Sequence, residues 1–300
     1  MLKIAVIGIG NIAQKAYLPV ISAMRNQVEW YLVTGNKKTL DLVGSQYGFG
    51  KCYQKLDELD DINLDAAFVH NTTTAHYETV KKLLNKGIPV YVDKPISDQF
   101  SQTEELLTLA EENQVQLTAG FNRRFAPMIQ QLKAIPDKKM ILIQKDRVEN
   151  RESIRFAIYD LFIHIVDLAL FLLDEPVVSF QSYIHETEGE LKRVWLVLET
   201  TQTTAIVTMN YQAGANQEVV EVQSLAGVQR VTDLNEMVIK GKNHEEIVKY
   251  SDWEETLVKR GFKPIIHAFI ESLVTGQNPV SHASSLQSHK LCEEIINPLK

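Results

Sequence analysis

The chain has 300 residues, of which 45% are hydrophobic and 23% charged; that composition excludes a disordered chain, and the length favours two domains over a single core. Lys and Arg number 31 against 38 Asp and Glu, so the net charge of −7 offers no broad positive field and argues against nucleic acid as a partner. The two cysteines, Cys52 and Cys292, form no CxxC pair, which argues against a disulfide framework, a zinc site or a redox couple and fits a reducing, cytoplasmic setting.

The opening MLKIAVIGIGN carries one Lys before a short apolar run that stops at glycines. It is too short for a bilayer span and has no small-residue cleavage site, so it reads as a strand rather than a signal peptide. The longest apolar stretch, Leu161 to Leu173, is interrupted by His164 and Asp167, and no membrane partner is expected. No repeat or low-complexity tract suggests a solenoid or a linker.

Over the first 120 residues, short apolar runs at Leu2–Ile7, Val28–Thr34, Asp65–His70, Pro89–Asp93 and Val115–Ala119 alternate with helix-period segments. Ile12, Ala16, Val20 and Met24 recur every fourth residue, and Tyr77, Val80, Leu83 and Leu84 form a similar face. This is the grammar of a doubly wound α/β fold of Rossmann type. From about Met140 the runs lengthen to Met140–Arg147, Val177–His185, Val194–Thr200, Thr203–Gln212 and Gln217–Ser224, with helix period at Asp160–Leu173. They predict a C-terminal α+β domain with a large, mostly antiparallel open sheet. Helical regions are predicted over Trp253–Val274 and Ala283–Ile296. The boundary is expected near Phe121 to Pro136, giving domains 1–121 and 122–300.

Gly8-Ile9-Gly10-Asn11-Ile12-Ala13 follows the first strand and opens a helix, the setting in which GxGxxG/A holds a pyrophosphate on backbone amides. A ligand-free glycine turn is the alternative. The second strand ends Val33-Thr34-Gly35-Asn36-Lys37-Lys38, without the acid that holds the adenosine ribose in NAD-preferring folds. Thr34, Asn36 and Lys37 or Lys38 suit a 2′-phosphate, so charge favours NADP over NAD, unless the lysines merely begin an exposed helix. At the end of the fifth strand stands Val92-Asp93-Lys94-Pro95, a cation at the sheet edge where open α/β folds place ligands. A lysine partly buried beside a cationic nicotinamide can exchange a proton with a substrate hydroxyl, whereas a Lys before Pro taken alone is commonly a surface turn residue. Pro95 fixes the backbone that follows.

Together these motifs resemble the Gfo/Idh/MocA oxidoreductases, dinucleotide-binding enzymes acting mainly on sugars, cyclitols and similar polyols. The resemblance spans nearly the whole chain. It rests on the GIGNIA turn, Asn71 to His76 before a helix, YVDKP in place of the usual EKP, GFNRRFAP at 120–127, Asp160 and His164 in a DxxxH, and the tail GFKPIIHAFIESLVTGQNPVS. VHNTTTAH and GFNRRFAP carry a narrower likeness to the MviM-like branch. The resemblance implies that Lys94 is the catalytic lysine, His164 the proton-relay histidine, and Asp160 a carboxylate that binds substrate or orients that relay. It further implies that Asn71, Thr72 and Thr73 touch the ribose or nicotinamide end of the cofactor, with His76 and Asp93 beside it, and that Arg123 contacts substrate. A homodimer or homotetramer built on the open face of the second sheet is expected on the same ground.

Residues 160 and 164 are one helical turn apart, so a carboxylate and an imidazole can reach one substrate, with the imidazole accepting its proton. Asp160 favouring its own helix start is the plainer alternative, and Asp167 reads as structural. Arg124 reads as a hinge anchor. Lys145 and Arg147 share one face of a strand and, if that face meets the ligand, favour an acidic or phosphorylated sugar; exposed strand cations are the commoner explanation. No GxSxG or HExxH occurs, so neither a serine hydrolase nor a catalytic metal is expected. The expected activity is hydride transfer between nicotinamide and a secondary alcohol or carbonyl of a sugar- or polyol-like small molecule. A noncatalytic dinucleotide-sensing regulator on the same fold is the rival, opposed by the presence of Lys94, Asp160 and His164. Redox-assisted glycoside cleavage is a third reading.

Overall fold

The computed structural model describes residues 1–297. The chain forms two compact units: Met1–Phe121 with Phe262–Leu286, and Asn122–Gly261 with the stretch from Gln287.

In the first unit, β1 (Leu2–Ile7), β2 (Val28–Val33), β3 (Cys52–Tyr53), β4 (Ala66–Val69), β5 (Val90–Val92) and β6 (Leu117–Ala119) pair in the order β3-β2-β1-β4-β5-β6. Every pairing is parallel. Ile4 to Ile7 and all of β4 are buried, because helices cover both faces, and this is why these strands read as continuous apolar runs. Strand order reverses between β1 and β4, the position at which doubly wound sheets open a crevice at their carboxyl ends.

The stretch Phe262–Leu286, assigned to residues 122–300 by the sequence reading, packs with this first unit. Phe269 meets Phe68 and Tyr91 edge-on at ring-centroid distances of 5.0 and 5.5 Å, and Phe262 meets Tyr17 at 5.6 Å. Polar ties add to this burial: Gln116 Nε2 donates to Ser272 Oγ (2.7 Å), and Asn278 Nδ2 donates to the Leu117 carbonyl (2.9 Å). The helix expected over 253–274 is broken into Thr256–Lys259 and Phe262–Thr275. Gly261 lies between them at φ +78°, where a Cβ would collide with the Asn122 carbonyl and the Ala126 amide.

The second unit is built on β7 (Lys138–Asp146), β8 (Ser179–Thr187), β9 (Glu190–Glu199), β10 (Thr204–Asn210), β11 (Gln217–Ser224), β12 (Gly227–Thr232), β13 (Glu236–Lys240) and β14 (Glu245–Lys249). Their order is β14-β13-β12-β11-β7-β10-β9-β8. Apart from the parallel β7–β10 pair, the described pairings are antiparallel. The last three strands go beyond the sequence reading, which ends its strands at Ser224. On the inner face Ile143, Val207, Leu196 and Val220 are buried, and the apolar helix Ile163–Leu172 lies against β7 and β10. Among the described residues, no helix is long and apolar enough to cross a membrane, and no group of three or more His, Cys, Asp or Glu could hold a metal ion.

Candidate active site

In the first unit the candidate residues gather at the carboxyl edge of the parallel sheet. Gly8 takes φ +88° and donates to the Val33 carbonyl (2.9 Å); a Cβ there would run into the His70–Asn71 backbone, so only glycine lets the β1 and β4 ends approach. Gly10, Asn11 and Ile12 are exposed, and a Cβ on Gly10 would meet nothing within 4 Å. Residues 11–22 then form a helix with a π stretch at Ala13–Tyr17. First-turn amides have no partner inside their own helix, so this open turn can receive a pyrophosphate.

Asn71 follows β4. Its Nδ2 donates to Thr79 Oγ1 (2.9 Å), while its Oδ1 is buried with no hydrogen-bond donor in the structure. A buried amide oxygen lacking a donor fits a ligand that brings one, such as a carboxamide or a ribose hydroxyl. Thr72 is the N-cap of the helix Thr73–Asn85, placing Thr72 and Thr73 at its start. His76, one turn in, bridges two loops: its Nδ1 lies 2.9 Å from the Pro95 carbonyl and its Nε2 3.1 Å from the Asn71 carbonyl. Burial draws this imidazole below its ordinary pKa, against the pull of the carbonyls. Asp93 is buried and its Oδ1 accepts the Lys94 amide (2.9 Å), so the short carboxylate holds the backbone of the lysine it precedes. Lys94 is half-buried. At the end of β2, Thr34 is half-buried and Asn36 caps the helix Lys37–Tyr47 by accepting the Thr39 amide (3.1 Å), leaving Lys37 and Lys38 exposed at that helix start. These residues fit a dinucleotide: an open glycine turn and an orphaned amide oxygen at the carboxyl edge of one parallel sheet.

In the second unit, Asp160 lies in a π stretch, Ala157–Phe162, that continues into the helix Ile163–Leu172. From 157 to 169 only Asp160, Leu161 and His164 retain solvent exposure, so the carboxylate and the imidazole share one accessible stripe. His164 Nδ1 lies 2.6 Å from Arg123 Nη1. Arg123 grips Glu218 with two further donors, Nε to Oε1 (2.5 Å) and Nη2 to Oε2 (2.9 Å). Lys145 Nζ reaches the same carboxylate at 2.7 Å. Glu218 is held well below the usual carboxylate range, because Arg123 and Lys145 outweigh its burial. Lys145 is pushed down to about 7 by burial and by Arg123, against the pull of Glu218. It has no exposed surface and its charge is directed at Glu218, so of the expected cation pair Arg147 alone remains half-exposed.

Arg124 points elsewhere, forming a bidentate pair with Asp167 (2.8 and 2.5 Å) that Ser288 Oγ joins at 2.9 Å. Two residues escaped the sequence reading. Glu218 is in phase with buried Val220 and Val222 on its strand, and an acid on the apolar face of a strand is a legible signal. Tyr211 is enclosed, its phenol raised by burial and by the Asp160 and Glu152 carboxylates; nothing in its local pattern marks it.

The sheet order and the glycine turn define a dinucleotide-binding fold of Rossmann type. Residues 2–121 match the Gfo/Idh/MocA model, an oxidoreductase family with an NAD-binding Rossmann fold, and residues 127–242 match the YceM-like C-terminal domain. A dehydrogenase (MviM) from Clostridium difficile is 30% identical over 99% of both chains, with a TM-score of 0.93. YceM of Salmonella typhimurium is 29% identical over 99% of this chain and 97% of its own length. A myo-inositol 2-dehydrogenase of Thermotoga maritima is 24% identical over 71% of this chain and 66% of its own length. The chain belongs to the Gfo/Idh/MocA oxidoreductase family and is MviM-like.

Proposed function

We propose that this oxidoreductase interconverts a secondary alcohol and a carbonyl on a sugar- or polyol-like substrate, using NAD(P). The observation that carries the reading is the accessible stripe of Asp160 and His164 on a helix whose neighbouring positions are enclosed. A carboxylate and an imidazole that keep solvent access one helical turn apart suit substrate binding and proton chemistry. The myo-inositol dehydrogenase relative supports a polyol. Bound nicotinamide supplies the hydride acceptor or donor. Gly10, Asn11 and Ile12 hold the pyrophosphate, Asn71, Thr72 and Thr73 the nicotinamide end, and Thr34, Asn36 and Lys37 the adenosine end. Lys94 exchanges the hydroxyl proton, Asp160 accepts hydrogen bonds from substrate hydroxyls, and His164 contacts the reacting oxygen. Half-exposed Arg147 suits an acidic substituent. The missing acid after β2 and the exposed Lys37 and Lys38 support NADP over NAD. The protein works as a homodimer or larger assembly of copies.

The test is fluorescence titration with NADH and NADPH, then a polyol and sugar panel with the tighter cofactor. Lys94→Ala is expected to lower turnover by about 10²–10⁴-fold with cofactor affinity retained. A tenfold preference for NADH overturns the NADP assignment. Absence of turnover across the panel by the unmodified protein overturns the substrate class.

A further inference from the structure

We propose that Glu218 is a positioning residue that, acting through Arg123, fixes His164 as its Nε2–H tautomer, so that His164 meets substrate as a hydrogen-bond donor and not as a proton acceptor. Guanidinium nitrogens donate and never accept. With Arg123 Nη1 at 2.6 Å from His164 Nδ1, Nδ1 must present its lone pair, and the single proton of the neutral ring then resides on Nε2. A doubly protonated ring would oppose N–H to N–H and press two cations together where Arg123 is only 8% exposed.

The contact needs the guanidinium plane to be held. Glu218 does this by taking Nε and Nη2 on its two oxygens, the fork geometry that fixes an arginine in orientation as well as in place. Strand register builds the clamp into the sheet: Glu218 on β11 pairs directly with Lys145 on β7, and Lys145 Nζ binds the same Oε2 that takes Nη2. Arg124, the neighbouring arginine, is committed to Asp167 and cannot substitute.

The resemblance gives Asp160 as a carboxylate that binds substrate or orients the relay and His164 as a proton acceptor; with Arg123 on Nδ1, Asp160 is left to substrate binding and His164 becomes a donor. The consequence for turnover rests on the proposed dehydrogenase reading. In alcohol oxidation a bound nicotinamide would accept the hydride as the C–H bond breaks and the C=O bond forms, with the Lys94 amine taking the O–H proton under the same reading. His164 Nε2–H donates to that oxygen throughout and transfers no proton.

The experiment is a long-range proton–nitrogen correlation spectrum of protein labelled with ¹⁵N-histidine, without cofactor or substrate, with His164 assigned by its loss in His164→Gln. At neutral pH the unmodified protein should show a pyridine-type Nδ1 and a pyrrole-type Nε2. Glu218→Gln should lose that pattern through a shift of Nδ1, whereas Lys145→Met, which leaves the fork intact, should keep it. If Glu218→Gln does not fold, Arg123→Lys, which lacks the fork, should show the same loss. An Nδ1–H or doubly protonated ring in the unmodified protein, or retention of its pattern in whichever of Glu218→Gln and Arg123→Lys is folded, overturns the proposal. Because the spectrum needs no turnover, its outcome is separate from failure of the dehydrogenase reading, which the substrate panel reports.

Discussion

A lysine ammonium with no exposed surface is unfavourable unless its environment returns what hydration gave, and Lys145 shares the Glu218 carboxylate with an arginine that already grips both oxygens. Its pKa of about 7 in the fold lies below the value of about 10.4 for an unfolded lysine. Between these values the unfolded chain binds more protons than the folded one, so stability must rise with pH there. Raising pH from 6.5 to 8.5 should increase the unfolding free energy by about 2 kcal/mol through this residue, and urea unfolding of the unmodified protein and Lys145→Met at the two pH values checks it. Equal pH dependence in both proteins would contradict the assignment. Glu218 works in the opposite limb: with its folded pKa depressed, its contribution is complete above about pH 4.3, the unfolded value, and is lost as pH falls toward the folded one. At this scale the sequence shows residue types and misses partners. Lys145 looks like a substrate cation because alternation places it beside Arg147, but the acid that claims it is 73 positions away.

Elements were legible where burial is uniform. Five strands of the first sheet fall within two residues of the apolar runs because burial leaves few polar positions to blur them, whereas the two-residue edge strand β3 is too short to leave a pattern. Strands β12 to β14 were not legible: Lys240 to Glu246 reads KGKNHEE, a charged hairpin that pairs at a sheet edge without an apolar signature. The π stretches at Ala13–Tyr17 and Ala157–Phe162 are equally silent, since apolar spacing of four residues suits both helix types. The helix carrying His76 makes a connection that no pattern reveals, tying the loop after β4 to the loop after β5 through the Asn71 and Pro95 carbonyls. A neutral ring donates to one of these, and its removal leaves a buried acceptor unsatisfied. His76→Ala should therefore cost about 1–3 kcal/mol of stability and weaken NAD(P)H binding roughly tenfold. Denaturant unfolding and fluorescence titration measure the two effects, and unchanged values in both would show that the bridge holds nothing.

Assembly is the property that chain order reveals least, because it depends on which face of the second sheet is left uncovered. Inner positions such as Lys145, Val207 and Val220 are enclosed, so the opposite row is the one available to another copy. That row carries Tyr183 stacked on Trp195 at 6.2 Å, with the two rings 55% and 39% exposed. Register continues it through Val197, Ile206 and Leu142, and the outer strands add Val238 beside Ile247. Between Leu142 and Val238 the row holds the Glu221–Arg230 ion pair, so its apolar part centres on Tyr183 and Trp195, and exposed aromatic surface of that kind suits burial against another copy. In a twofold interface each residue is used twice, so a carboxylate placed at Trp195 and at Tyr183 faces its own image or an apolar partner in both copies. Each copy then loses aromatic burial, and a combined penalty of about 3 kcal/mol would raise the dissociation constant by roughly a hundredfold. The proposed homodimer should thus sediment at twice the chain mass or more at micromolar concentration, and Trp195→Asp with Tyr183→Asp should sediment as a monomer. Since both side chains already face solvent within one chain, the double variant should still unfold in one cooperative transition, with a midpoint that no longer depends on protein concentration, which separates a broken interface from a broken fold. A monomeric unmodified protein, or a double variant that keeps its mass, would place the contact elsewhere.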